Sequence, residues 1–278
     1  MKQLGRDLGR VVALWVALAA SQMIFGAILF LGAPAFADSG PMGAGEALLV
    51  VSLVDAVILT LLAQRMRLRG RMLGLVLGGV LFGVQTGQAL IEAVIFNNDL
   101  HMATATLIKT GIAALLRDAV GALLIARMWP GSSEPGWHVR GLAWKTPVTA
   151  FFYVFCYFAA GSLIAWQSPA VRAFYAHVGE INVGGLVLLQ VVRGVIWCGL
   201  AWLLVRDLAA PAWKAGLLVG LAFAGFMIPE LLLPNPIMPW PVRSVHMVEV
   251  GVSNFLFGAI TALLLQLGAR TAELAPKR

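Results

Sequence analysis

Long apolar runs broken by short polar loops set the pattern of this 278-residue chain. Eight runs stand out, roughly Val11–Gly32, Ala47–Ala63, Met72–Phe96, Met102–Met128, Thr146–Gln167, Val183–Val205, Ala212–Leu233 and Val245–Gly268. A helix needs ~20 apolar residues, with a range of about 17–25, to cross the hydrocarbon core. The pattern therefore predicts an all-α, polytopic membrane bundle of about eight transmembrane helices. No stretch between the runs is long enough for a soluble domain.

The runs also resemble one another in order. Gly74-Leu75-Val76-Leu77-Gly78 recurs as Gly216-Leu217-Leu218-Val219-Gly220, which puts Gly83 opposite Gly225 and Gln88 opposite Glu230. Gly111 to Leu123 matches Gly251 to Leu263, and Gly26 and Pro34 fall opposite Gly161 and Pro169. The offsets drift only between 135, 142 and 140. This predicts a tandem 4+4 repeat, with 1–128 as the first half, 129–145 as a Pro- and Gly-rich linker, and 146–278 as the second. Four spans per half put both halves the same way up, about an axis along the membrane normal. The glycines at 74, 78, 79, 83 and 87 read as points of close helix contact.

Composition adds the environment. With 60% hydrophobic and 12% charged residues and a mean hydropathy of +0.88, the chain has too little polar surface to cover a water-soluble globule. Lys and Arg then give an orientation. One side collects Lys2, Arg6 and Arg10, Arg65 to Arg71, Arg127, Arg140 and Lys145, Arg206 and Lys214, and the C-terminal basic residues; the other holds Arg172 and Arg243. The expected location is the cell membrane, with both termini cytoplasmic. The net charge of +7 is then a matter of topology and anionic head groups, not of a nucleic-acid partner. Lys2 to Arg10 with Ala35-Phe36-Ala37 resembles a secretory signal, but the apolar run is long, carries Ser21 and Gln22, and has a counterpart in the second half; it is read as a retained span. Cys156 and Cys198 fall inside spans and read as packing residues.

Ionisable groups within the runs are the candidates for function, because each is costly in hydrocarbon unless paired or hydrated. They are Asp55, Glu92, Lys109, Arg117, Asp118, Arg193, Glu230 and Glu249, with Arg243 and His246 above the last. Three are cationic and five anionic among the first eight, so carboxylates are in surplus. Most fall in the outer half of the membrane, which predicts an outward-opening polar chamber over an apolar floor. Arg243, His246, Glu249 and Ser253 share one predicted helix face, and Gln85, Gln88 and Glu92 share another. Arg193 is expected to pair with Glu230 or Glu249 from its own half, while Arg117 and Asp118, being adjacent, are expected to find separate partners. The prolines at 234, 236, 239 and 241 predict a stiff outer rim beside Trp240. His101, His138 and His177 fall in loops or at span ends.

The predicted binding residues are Gln88, Glu92, Arg193, Glu230, Arg243, His246 and Glu249, acting on a small solute, proton or cation beside the lipid bilayer. No catalytic set, metal set or cofactor motif is identified; His246 and Glu249 lack the repeated ligand pairs of bundle metal sites. A small-solute or ion/proton-coupled permease is the leading reading. A membrane-embedded enzyme or ligand- or metal-binding protein facing the outer leaflet is the second, and an accessory subunit with purely structural ion pairs the third.

Overall fold

The computed structural model describes residues 2–32, 40–95, 102–134, 136, 139–176, 182–235 and 238–268. His101, His138 and His177, part of the proline-rich rim and the C-terminal basic residues lie outside them. Nine helices carry the described chain: α1 (Lys2–Leu29), α2 (Ala44–Arg65), α3 (Gly70–Ile95), α4 (Thr104–Met128), α5 (Leu142–Leu163), the short α6 (Pro169–Tyr175), α7 (Val183–Val205), α8 (Ala212–Met227) and α9 (Trp240–Gln266). Two 3-10 turns extend this set, Ala165–Gln167 after α5 and Pro229–Leu232 after α8.

Seven of these helices are long and apolar enough to cross a membrane: α1, α2, α3, α5, α7, α8 and α9, where α5 and α8 include their 3-10 turns. The bundle is that of a multi-pass membrane protein. Its outer surface fits, since bulky apolar side chains such as Leu75, Phe151, Phe155 and Leu188 are exposed. The eighth run differs. Helix α4 has 25 residues, about 37 Å at helical rise, yet Lys109, Arg117 and Asp118 interrupt its apolarity, so length alone qualifies it.

Small residues set the closest helix contacts. In α3, a side chain at Gly74 would strike the Ala122 carbonyl of α4, and one at Gly78 would lie 2.9 Å from the Ala122 methyl. In α8, Gly216 faces Ala259 and Gly220 faces Phe255 of α9. Within the first four helices the neighbours are α1–α2, α1–α4, α2–α3 and α3–α4; among the later ones they are α5–α7, α5–α9, α7–α8, α7–α9 and α8–α9, with the short α6 also on α9. The two groups meet through α2 on α8 and α3 on α7. At that junction Gly83 abuts Leu200 while Gly225 abuts Ile58. The core is apolar and rich in aromatics, with Tyr153, Trp197, Phe223 and Phe257 packed ring against ring.

One end of the bundle gathers the basic loops and is sealed by backbone. The turn after α2 and the turn after α7 pair as an antiparallel bridge between Met66 and Leu208. Arg67 N donates to Asp207 O at 2.7 Å and Ala209 N to Arg65 O at 2.7 Å. The linker closes over them, since Glu134 N donates to Arg67 O and Gly70 N to Trp129 O. Lys145, drawn into α5 because that helix begins at Leu142, is buried and donates to Leu265 O at 3.0 Å and Leu267 O at 2.7 Å, carbonyls left open at the end of α9. Beside the latch, Asp207 is 2% exposed. Burial holds its carboxyl above the usual carboxylate range, against the opposing pull of Arg206 at 3.0 Å.

Candidate functional site

Charged side chains within the bundle collect in three groups, and the backbone of α3 decides how they divide. Residues Phe82–Gly87 form a π-helical turn inside α3. Such a turn widens the helix and redirects the side chains around it. Gln85, Gln88 and Glu92 therefore do not form the single stripe expected from their spacing. Gln85 turns toward α2 and α4, while Gln88 and Glu92 reach α7.

The first group joins Asp55 of α2, Gln85, and Arg117 and Asp118 of α4. Arg117 Nε donates to Asp118 Oδ1 at 2.8 Å, and Arg117 Nη2 bonds Gln85 Oε1 and lies 3.4 Å from Asp55 Oδ2. Gln85 Nε2 donates to both Asp55 oxygens, at 3.1 and 3.2 Å, and to Phe226 O at 2.9 Å. All four side chains are buried. The expectation that Arg117 and Asp118 find separate partners is thus corrected, because the long guanidinium stem folds back onto its neighbour. Glu230, on the 3-10 turn after α8, lies within electrostatic reach of Asp55, Arg117 and Asp118.

The second group is centred on Arg193 of α7, which is 3% exposed. Its guanidinium binds the Glu92 carboxylate, with Gln88 Oε1 at 3.0 Å and Gln190 Oε1 at 2.9 Å. The Tyr153 ring lies 5.6 Å from the guanidinium carbon. Its carboxylate therefore comes from α3, not from Glu230 or Glu249 as expected. Equal depth in the membrane did not decide the pairing; the direct packing of α3 on α7 did.

The third group lies on α9. His246 Nδ1 and Glu249 Oε2 are 2.5 Å apart across one helical turn, and the Tyr175 ring meets the imidazole edge-on at 6.4 Å. His246 Nε2 is buried without a hydrogen-bond partner among the described residues. Tyr175 ties this group to the second. Its hydroxyl is pushed up to about 12, first by burial and then by the negative charges of Glu249 and Glu92. Tyr157 of α5 stands within electrostatic reach of Glu92, Arg193 and Tyr175. Glu92, Arg193, Tyr157, Tyr175, His246 and Glu249 thus surround one region at the end opposite the latch. Glu92 and Glu249 are part-exposed there, with side-chain accessibilities of 34% and 13%.

The remaining expected residues fall elsewhere. Arg243 does not share a wall with Glu249; it is fully buried, donates to Leu231 O at 3.0 Å and Met238 O at 2.9 Å, and lies against Trp240. That arrangement fastens the start of α9 to the turn carrying Glu230. Ser253 bonds back to the Glu249 carbonyl at 2.7 Å, a common fate of a helical serine. Lys109 is exposed, not buried. Tyr153, Tyr157, Tyr175 and Gln190 were not singled out by sequence, although Tyr153 with Tyr157 and Gln190 with Arg193 keep helical spacing. Among the described residues no three His, Cys, Asp or Glu gather as a metal-binding set. A groove of about 680 Å³ runs along α1 between Gly5 and Ala20, but only glycine and aliphatic side chains line it. The charged groups, not this groove, hold the chemistry.

Compared with known proteins, the chain matches no protein family, no curated protein and no solved structure.

Proposed function

We propose that this chain is a small-solute or ion/proton-coupled permease of eight spans, built as two four-helix repeats and open toward the outside. The observation that carries the reading is the Arg193–Glu92 knot. It joins the two halves beside Tyr157, Tyr175, His246 and Glu249, at the end opposite a closed latch. A charged group at a repeat interface, polar on one side and sealed by backbone on the other, is what an alternating-access protein needs in an outward-facing state. Counting α4 as the eighth span and the basic end as cytoplasmic puts both termini inside.

The duplication is supported by reciprocal contacts. A shift of 142 carries Met66 onto Leu208, its bridge partner, and carries the Ile58–Gly225 contact onto the Leu200–Gly83 contact. A pair related to itself by the repeat lies on the axis relating the halves. The four neighbour relations of α1 to α4 recur in α5, α7, α8 and α9, which add a contact of α7 on α9.

The accessory-subunit reading draws on Arg243, whose bonds to the Leu231 and Met238 carbonyls fasten the start of α9. Flux separates the two. Purified protein in liposomes would be screened with gradients of amino acids, sugars and cations between about pH 5 and 8, where histidine titrates. Uptake that Glu249→Gln or His246→Gln abolishes, without loss of folded protein, is the expected result. No flux for any solute, with both variants melting well below wild type, would leave the structural reading standing.

A further inference from the structure

The group around Arg117 has more acid than base. Asp55 and Asp118 contribute two carboxyls, Glu230 a third from the 3-10 turn that packs against α2, the helix of Asp55, and Arg117 the one cation; the remaining member, Gln85, is neutral. These five, from α2, α3, α4 and the turn after α8, are the titratable and hydrogen-bonding side chains placed in this group among the described residues. The hydrogen bonds say how the charges are divided. Both Asp55 oxygens receive the Gln85 amide, and Asp118 Oδ1 receives Arg117 Nε, so both aspartates act as acceptors and share one guanidinium. Asp118 is 2% exposed and its Oδ2 is buried with no donor among the described residues. Glu230 makes no side-chain hydrogen bond or ion pair among the described residues and is half-buried on the turn that Arg243 fastens.

A second and third uncompensated carboxylate in such surroundings would cost several kcal/mol each. Three remedies exist: a further cation side chain, a bound metal ion or a proton. The other buried guanidiniums among the described residues are engaged, Arg193 by Glu92 and Arg243 by backbone carbonyls. No metal-type gathering of three ligands is present among the described residues. We propose that Asp55, Gln85, Arg117, Asp118 and Glu230 form a proton-binding site, in which Glu230 carries an exchangeable proton and Asp118 Oδ2 is the open acceptor. Uptake converts the Glu230 carboxylate and one proton into a neutral carboxyl, and release reverses it; no other reactant takes part. The site is entered past Glu230, its one part-exposed carboxyl. It rests on the buried cluster alone, so its experiment can fail without the transport reading failing.

The test is infrared spectroscopy of the full-length protein in lipid, titrated over pH in ordinary and heavy water. The expected result is a protonated-carboxyl band that shifts in heavy water, falls as pH rises, and loses about one carboxyl's intensity in Glu230→Gln. Asp118→Asn should move the pH at which the band falls, since it removes a neighbouring negative charge. Wild-type spectra decide the matter even if both variants fold poorly. No such band while the protein is folded would overturn the proposal. So would a band that sodium or potassium removes at constant pH, which would make the occupant a cation, or one unaltered in both variants.

Discussion

Replacing Glu92 by Gln removes the charge that answers Arg193 and almost nothing else. Breaking a fully buried ion pair by deleting one partner costs about 3–5 kcal/mol. Here the guanidinium is 3% exposed but the carboxylate is 34% exposed, and Gln88 and Gln190 continue to accept from Arg193 at 3.0 and 2.9 Å. Partial hydration and the surviving bonds bring the expected loss to about 1–2 kcal/mol. Arg193→Met keeps most of the volume while removing the donor, leaving the oxygens of Gln88 and Gln190 without it. The double variant should then recover part of the summed loss, with a coupling of about 0.5–3 kcal/mol. The assay is reversible unfolding in mixed micelles for wild type, both single variants and the double. Glu230→Gln combined with Arg193→Met should instead be additive, since Glu230 belongs to the Arg117 group. Additivity for Glu92, or a larger coupling for Glu230, would refute the interhalf pairing.

Three further expectations can be checked together. Gly74→Val should lose about 1–3 kcal/mol by overpacking against the Ala122 carbonyl, whereas Gly79→Ala, with nothing within 4 Å of the added methyl, should be neutral or slightly stabilising; equal melting of the two would refute the α3–α4 contact. Because burial raises the Asp207 carboxyl, its contribution to stability is complete below the ordinary carboxylate range, ~3.9, and is lost as pH rises through the raised value. Asp207→Asn should flatten that slope in pH-dependent melting curves, and an unchanged slope would assign it to another group. Cysteines placed at Ala176 and Asn235 should react with an impermeant thiol reagent outside intact cells while those at Arg69 and Ser132 should not; labelling of position 69 would reverse the orientation.

The helices were legible because hydrophobic runs are one-dimensional signals: with their 3-10 turns, α2, α3, α5, α7, α8 and α9 end within about five residues of the predicted runs, whereas α1 begins at Lys2, nine residues ahead of Val11. Helix α4 was legible too, though Lys109, Arg117 and Asp118 set it apart from an ordinary span. Pairing was less legible. Arg117 on Asp118 depends on how a long side chain folds back, and Arg193 on Glu92 depends on α3 packing against α7, neither of which spacing encodes. The π-helical turn at Phe82–Gly87 broke the inference from Gln85, Gln88 and Glu92, since an i, i+3, i+7 stripe presumes an unbroken α-helix. His246 with Glu249 succeeded because both partners lie one turn apart on regular helix. Arg243 was misplaced for the opposite reason: its partners are backbone carbonyls, which carry no mark in the sequence.

The proposed duplication gives the charged groups a further meaning. Shifting by 142 carries Asp55 onto Trp197, and shifting by 140 carries Arg117 onto Phe257. In the second half those positions hold buried aromatics, with Trp197 and Phe257 centroids 6.2 Å apart, where the first half holds an ion pair at 3.4 Å. Aromatic packing there supplies apolar burial without burying a charge. A bundle selected only for stability had that solution available in both halves. The crossing residues diverge in the same way: Gln88 of the first half reaches Arg193, while its counterpart Glu230 approaches Arg117. The first half therefore lends Gln88 and Glu92 to the buried Arg193 of the second, the amide beside a carboxylate that already supplies the charge, whereas the second half lends its extra carboxyl, Glu230, where two aspartates already share one arginine. Such an excess of acid is unfavourable for packing and useful for holding a proton, which is why function is better sought at Glu230 than at the aromatic core opposite.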